Sequence, residues 1–502
     1  MKIADKTHGK IKEIISGLNN QQQKAVTYPF KNHCLVLAGA GCGKTSVLTR
    51  RIAYCALTHC PQDRILALTF TRKAADEMRQ RLVLLPGIAG DKPLPLVTTF
   101  HGCGLRILKD TVDGIPNAGR LGFTGEPVLL TCRDRLALLA ECSSLEERRA
   151  LQTNIMELDD LLARESVNPR KNAHLSPESH ALLDTVKTRF RKKKREAGFW
   201  EFSDMIQETV RLLSENPDVK NHYRKKYAYI LVDEFQDTNP LQITLLNHLL
   251  SEENRLFAVG DDDQAIYGFR GADIGPIMQF GDHFPGAEVI KLEMNYRSTP
   301  AILKSANAIF KNKPLQFRKV LVSGKYAAGK GKRYPKPVKK HCSTTADMVQ
   351  WIVNKAEALE KETDIAVSSM ALLFRLNESL DRVKEELTNG RHCLSANPSC
   401  LTVHGSKGLE FPVVFLCDLE ESIFPHYKVQ RSRKIRTWMD VLKRVVIGRK
   451  STAPQCDLDE EQRLFYVGVT RAEKILFLLS VKNKEYNRRK IVMKPSRFLD
   501  LI

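Results

Sequence analysis

The segment Ala38–Thr45, AGAGCGKT, restricts this chain more than any other. An apolar run, CLVLA from Cys34, precedes it, and a helical pattern, SVLTRRIAYCAL, comes after it. A strand that turns through closely spaced glycines into a helix presents backbone N–H groups to an anion at the helix N-terminus. Gly39, Gly41 and Gly43 let that backbone close around phosphates, with Ala38, Ala40, Cys42 and Ser46 completing the frame. Lys44 places a point charge on the phosphate oxygens, and Thr45 offers a hydroxyl to Mg²⁺. Ala38 stands where the strict pattern begins with glycine.

Such a strand–loop–helix unit belongs to a parallel sheet. The runs RILALTFT (Arg64–Thr71), YILVDE (Tyr229–Glu234), LFAVGDDD (Leu256–Asp263) and VVFLCDLE (Val413–Glu420) repeat the apolar strand pattern, with helical segments such as RKAADEMRQRLVLL between them. Strands alternating with helices predict an α/β fold. Residues 107–200 read as helical and polar without sheet pattern, an insertion in the first α/β domain; its basic run Arg191–Arg195 suits either a phosphate backbone or a solvated face. Ser323–His341 reads as a flexible basic loop, and a second α/β pattern starts near Met370. The domain boundaries expected are 1–106 with 201–285 for the first domain, 107–200 for the insertion, and 286–502 for the second.

ILVDEFQDT, Ile230–Thr238, supplies the complement to the phosphate loop. Asp233 at the end of a buried strand can hold Mg²⁺ through its water shell, and Glu234 beside it can act as general base for an attacking water. Together with the loop upstream, these two carboxylates predict a site that hydrolyses ATP.

The net charge of +21, from 79 Lys and Arg against 58 Asp and Glu, suits a polyanionic partner, because neutralising phosphates releases counterions. Twelve cysteines are scattered without metal-ligand spacing, as for reduced thiols inside a cell. The N-terminal MKIADKTHGKIKEII lacks an apolar signal core, and no apolar run approaches the roughly 20 residues of a membrane span. A cytoplasmic location is expected, with no membrane partner.

LNNQQQKAV, AGAGCGKT, ALTFTRKAADEM, TTFHG, ILVDEFQDTNPLQ, VGDDDQAIYGFRGA, MNYRST, VHGSKGLEFPVVFL and RLFYVGVTRA succeed one another from Leu18 to Ala472. In that order they resemble the motifs of UvrD/Rep/PcrA-type superfamily 1 DNA helicases. The resemblance implies two RecA-like motor domains with ATP and Mg²⁺ bound between them. It implies that Gln22 reads the adenine edge, Tyr296 stacks on adenine, and Glu410 lies near the ribose and phosphates. Gln264 matches a sensor coupling the γ-phosphate to the DNA site. Arg297 and Arg471 match two arginine fingers, whose planar forks stabilise charge on the transferred phosphoryl group. Phe70, Tyr267 and Phe269 match aromatics on which bases stack, a contact indifferent to sequence. His101, Arg270, Thr402 and His404 match polar contacts to the single strand.

Three departures stand out. Ser46 comes after GKT where the family commonly has Arg, and Phe269 stands where Trp is usual. The helical domain that larger relatives insert before the VHGSKGLEF motif (2B-type) has no room, since only residues 381–401 separate the two flanking patterns. With the last motif so near the terminal KPSRFLDLI, no appended nuclease is expected. The resemblance thus implies an ATP-dependent helicase or translocase moving 3′ to 5′ on single-stranded DNA and at single-strand/duplex junctions, with accessory repair or replication proteins as further partners. Other readings are a translocase that displaces proteins and unwinds weakly, and an ATP-switched DNA-binding scaffold. RNA stays open as a track, because stacking does not report the 2′-OH.

Overall fold

A computed structural model of the protein describes residues 2–502 apart from 89–92, 122–127, 168–174, 269–270, 315–316, 327–333, 389–395, 427–454 and 487–488. Chain contacts divide it into two compact units: residues 1–37, 44–260 and 267–290, and residues 38–43, 261–266 and 291–502.

The first unit is built on a six-stranded sheet. Its strands are β1 (Cys34–Ala38), β2 (Ile65–Thr69), β3 (Leu96–Thr99), β4 (Tyr229–Val232), β5 (Arg255–Gly260) and β6 (Glu288–Leu292), in the order β6-β1-β5-β4-β2-β3. The pairings β1–β5, β5–β4, β4–β2 and β2–β3 are all parallel. CLVLA, ILALT and YILV are buried along their whole length, as expected of strands covered on both faces. The core they share with the helices includes Leu35, Leu68, Ile230, Phe235, Leu246 and Phe280. Helix starts are fixed locally: the Thr71 hydroxyl accepts from Ala74 N–H and the Thr99 hydroxyl from Gly102 N–H, each satisfying an orphan donor of the first turn. The chain leaves the carboxyl ends of β1 and β5 into Ala38–Gly43 and Asp261–Ile266, which group with the second unit.

Between Ile107 and Trp200 the structure is mostly helical, with helices Cys132–Cys142, Leu145–Ala150, Ile155–Val167 and Pro177–Glu196. Leu139, Leu158, Leu183, Val186 and Phe190 form a small core of their own. Two short strand pairs depart from the sheet-free reading of this stretch: Thr111–Val112 with Ile115–Pro116, and Val128–Leu129 with Phe199–Trp200. The basic run lies on helix Pro177–Glu196 and is largely paired with acids, most of them past residue 200. Lys194 is buried against Glu201 and Asp204, Lys193 pairs with Glu141, and Arg195 approaches Glu208.

The second unit carries β7 (Val338–Cys342), β8 (Ala371–Phe374), β9 (Ser399–Thr402), β10 (Phe411–Leu416) and β11 (Ala472–Val481), ordered β7-β11-β10-β8-β9 and all parallel. Helix Thr345–Thr363 and helix Asn377–Thr388 cover it, sharing a core that includes Ile352, Val353, Leu372, Val383, Phe415 and Phe477. The sheet therefore begins before Met370. Val338–Cys342, expected in a basic loop, is an edge strand exposed over its first four residues, where lysines blunt the free edge without losing backbone pairing to β11. Among the described residues, no helix is long and apolar enough to cross a membrane.

Candidate functional site

The phosphate-loop sequence forms the turn it predicts. It leaves β1, passes Gly41 and Gly43 at φ 67° and 82°, and enters helix Lys44–Thr58. Both glycines adopt a backbone that other residues avoid. Gly41 has a second reason to lack a side chain: a Cβ there would lie 2.7 Å from Asn295 Nδ2 and 2.8 Å from Arg297 Cβ. Asn295 Nδ2 donates to the Ala40 carbonyl at 2.6 Å, and the Tyr296 N–H donates to the Gly41 carbonyl at 2.9 Å. The segment preceding Arg297 thus holds the loop backbone in place.

Lys44 and Thr45 open the helix. Lys44 Nζ lies 3.9 Å from Glu234 Oε2. Asp233 is buried at the end of β4 and its carboxylate accepts the Glu234 N–H at 3.0 Å. Burial, then the charge of Glu234, push the Asp233 carboxyl up to about 7, against the opposing pull of Lys44. Glu234 itself sits at φ 49°, a left-handed backbone that turns its side chain out of the strand direction, and Gln236 Nε2 donates to its Oε2 at 2.5 Å. Two adjacent carboxylates, one buried and protonated near neutrality, are short of positive charge. A divalent cation held by Asp233 and the Thr45 hydroxyl fits that deficit, with oxygen ligands of the kind Mg²⁺ takes.

In the second unit, Gln264, Arg297, Glu410 and Arg471 are brought together. Arg297 Nε donates to Glu410 Oε2 at 2.5 Å and its Nη1 to the Thr470 carbonyl at 3.2 Å. The adjacent Arg471 is almost wholly buried, its guanidinium held by the Leu409 and Val467 carbonyls, with Nη2 3.5 Å from Gln264 Oε1. Gln264 Nε2 donates to Asp261 Oδ2 at 2.5 Å. Tyr296 is 38% exposed, its hydroxyl donating to Met294 Sδ at 3.2 Å. Gln22, in the first unit, is buried in a capping box: its Oε1 accepts the Asn19 N–H while Asn19 Oδ1 accepts the Gln22 N–H.

The residues expected to touch a nucleic-acid strand divide between the units. Phe70, just past β2, stacks on Tyr267 with ring centroids 5.3 Å apart and planes 13° from parallel. His101 is half-buried with its ring edge-on to Phe202, and burial lowers its pKa. In the second unit Thr402 ends β9, its hydroxyl accepting the Gly405 N–H at 3.1 Å, and His404 lies in the adjoining turn. Phe269 and Arg270 lie outside the described residues.

Residues 18–285 match the UvrD/REP helicase N-terminal domain, and residues 290–393 and 396–483 match the UvrD-like helicase C-terminal domain. The chain belongs to the UvrD/REP helicase family. A probable DNA helicase of Mycoplasma pneumoniae is 32% identical over 96% of this chain and 86% of its own length. The ATP-dependent DNA helicase PcrA of Bacillus subtilis is 37% identical over 60% of this chain and 40% of its length. DNA helicase II of Escherichia coli is 33% identical over 74% and 50%. The chain thus spans most of the Mycoplasma relative but half or less of PcrA and helicase II.

Several residues of this UvrD/REP-type chain serve the same constellation although the motifs alone do not single them out. Asp261, Asp262 and Asp263 converge to within 4.8 Å, close enough for a metal, but lysines fill the space. Lys319 Nζ contacts all three carboxylates and Lys313 Nζ contacts Asp262 and Asp263. Lys407 Nζ donates to the Gln264 carbonyl at 2.8 Å and Arg463 Nε to the Ala265 carbonyl at 2.8 Å. Arg375 forms a bidentate pair with Glu461 at the end of β8. A run of three acids next to a buried strand signals that cations must reach it from elsewhere in the chain; which ones, the linear pattern does not say.

Proposed function

We propose that this chain is an ATP-dependent DNA helicase of superfamily 1 that moves 3′ to 5′ on single-stranded DNA and couples ATP hydrolysis to strand separation. The observation that carries the reading is the backing of the phosphate loop by the segment that bears Arg297, with Arg297, Arg471 and Gln264 gathered around Thr470 and Leu409. Loop amides and Lys44 bind the phosphates, Glu234 takes the proton of the attacking water, and Arg297 and Arg471 stabilise charge on the transferred oxygens. Thr45 and Asp233 would hold Mg²⁺, which neutralises phosphate charge when bound. Tyr296 and Gln22 take the adenine, with Ala38–Ser46 and Glu410 lining the rest of the nucleotide.

Gln264 contacts Arg471 through its side chain and Lys407 through its carbonyl. Lys407 lies in the same turn as His404. A change at the γ-phosphate therefore has a short polar route to the strand contacts Thr402 and His404. Phe70, Tyr267 and Phe269 stack on bases, and Arg270 and His101 hold the backbone. We assign residues 1–106 and 201–285 to one motor domain, 107–200 to the insertion and 286–502 to the other.

The test is ATP turnover with no nucleic acid, single-stranded DNA, single-stranded RNA and duplex, and then unwinding of 3′- and 5′-tailed duplexes. Stimulation by single-stranded DNA and separation of the 3′-tailed duplex alone are expected; preference for the 5′ tail would reverse the polarity. A second reading, a translocase that displaces proteins and unwinds weakly, draws on the short link across residues 381–401, and a streptavidin-displacement assay separates it from the first.

A further inference from the structure

Two clefts of about 600 Å³ each adjoin one another on the second unit, each within the size range of ligand-binding clefts. Tyr326 and Tyr334 line both, their rings edge-to-face with centroids 5.1 Å apart. One cleft adds Lys325 and Lys474, and the other adds Lys304, Lys336 and Lys339. Both tyrosines and three of these lysines belong to Ser323–His341, the basic stretch of the sequence. Neither the nucleotide site nor the strand contacts assigned above use it.

Five lysines stand against one acid, Asp500, in the combined lining. Lys339 is engaged, donating to the Leu499 and Ile502 backbone oxygens. Lys325 Nζ lies 3.8 Å from Glu473 Oε2 and 5.6 Å from the centre of the Tyr326 ring. Lys304, Lys336 and Lys474 are exposed, and among the described residues none of them meets a carboxylate. Like charges gathered around a cleft attract a polyanion, and an ammonium group takes a phosphate as a point charge. The half-buried tyrosines add flat walls on which a base can rest. A duplex covers its bases with one another, so such walls favour a single strand.

The clefts lie apart from the strand contacts assigned to the same unit. In the sheet order β7-β11-β10-β8-β9, Val338 begins β7 at one edge and Thr402 ends β9 at the other. Four strand spacings of about 4.8 Å separate the edges, roughly 19 Å. The strands are parallel, and Pro337, Lys474 and Ile475 place the clefts at their amino ends, whereas Thr402 is at a carboxyl end. A strand just long enough to touch Thr402 and His404 does not reach them. From the lysines without an acid, the tyrosine walls and this placement, we infer that the clefts bind a second stretch of single-stranded nucleic acid. Its phosphates meet Lys304, Lys336 and Lys474, and a base lies against Tyr334. The first stretch is the one in the DNA reading above, on which the inference rests.

The experiment compares the full chain with a triple variant, Lys304→Ala with Lys336→Ala and Lys474→Ala, and with Tyr334→Ala. Two single-stranded DNAs are used: the shortest that fully stimulates ATP turnover, and one several times longer. Affinity is read by anisotropy over a series of salt concentrations. The short strand is expected to bind and stimulate all three proteins alike. On the long strand the log–log salt slope of the triple variant should be shallower by about 2, from three phosphates at about 0.7 each. Tyr334→Ala should bind the long strand about fivefold more weakly with its slope unchanged, the low end of base stacking. Arginine at the three lysine positions should restore the slope. Long-strand affinity and slope unchanged in the triple variant overturn the inference and leave the DNA reading standing. Loss of poly-glutamate binding by the triple variant, with DNA binding unchanged, also overturns it and assigns the clefts to an acidic protein segment. If no DNA stimulates turnover, the DNA reading fails, and the long-strand slopes then decide the clefts alone.

Discussion

Two adjacent residues, Asp233 and Glu234, are proposed to carry most of the chemistry, and their environments separate them. Asp233 is buried and pushed up to about 7, while Glu234 is partly exposed and turned toward Lys44. An Asp raised in the folded state binds its proton more tightly there than in the unfolded chain. Its contribution to stability is complete at pH below the ordinary carboxyl range and is lost as pH rises through about 7. Without nucleotide or metal, the protein should therefore melt lower at pH 8 than at pH 6, and Asp233→Asn should flatten that slope; an unchanged slope removes Asp233 as its source. The same proton competes with a cation, so the Mg²⁺ concentration needed for half-maximal ATP hydrolysis should fall as pH rises toward 8. Lys44→Ala should weaken nucleotide binding and abolish turnover, whereas Glu234→Gln should bind nucleotide and not turn it over. Full turnover by Glu234→Gln would take the general-base role away from that residue.

At the scale of elements, the segment leaving each strand matters more than the strand itself. The segment beyond β5 drives three acids into the interior, where Lys313 and Lys319 meet them. Removing one partner of a buried ion cluster leaves charge uncompensated and costs roughly 3–5 kcal/mol. Lys319→Met should accordingly destabilise the second unit by about that much in a denaturant titration; a loss below about 1 kcal/mol would mean the acids take up protons instead. The residues past β2 and β5 place Phe70 and Tyr267 in a stack, which the proposed function uses as a platform for bases. Alanine at either position should weaken single-stranded DNA binding by about 1–3 kcal/mol, equally for all sequences, and a sequence-selective loss would point instead to edge recognition.

For the whole molecule, the charge of +21 is distributed unevenly in its effect. Inside the fold, Lys194, Lys313, Lys319 and Lys484 meet at least as many acids as they number, so pairing there takes nothing from the net excess left for a polyanion. DNA affinity should still fall linearly on a log–log plot against salt, with a slope of about 0.7 per phosphate neutralised on a single strand; an affinity indifferent to salt would exclude backbone recognition. Ten residues, 389–398, separate helix Asn377–Thr388 from β9 in sequence; on the reading that no regulatory domain is inserted there, turnover on single-stranded DNA is expected without any added activating protein.

The linear order alone determined the parallel strand–helix alternation, the phosphate loop and the acidic pair after β4, because each is a contiguous segment whose residues act on their immediate neighbours. It also carried the family resemblance. The early start of the second sheet escaped it, since Val338–Cys342 is a polar edge strand whose identity comes from pairing with β11 rather than from its own pattern. The lysines that neutralise Asp261–Asp263 and the clasp of Arg471 by backbone carbonyls were decided only in three dimensions. In each, groups far apart along the chain meet where water is excluded, and burial gives charge and hydrogen bonding a weight that spacing does not encode.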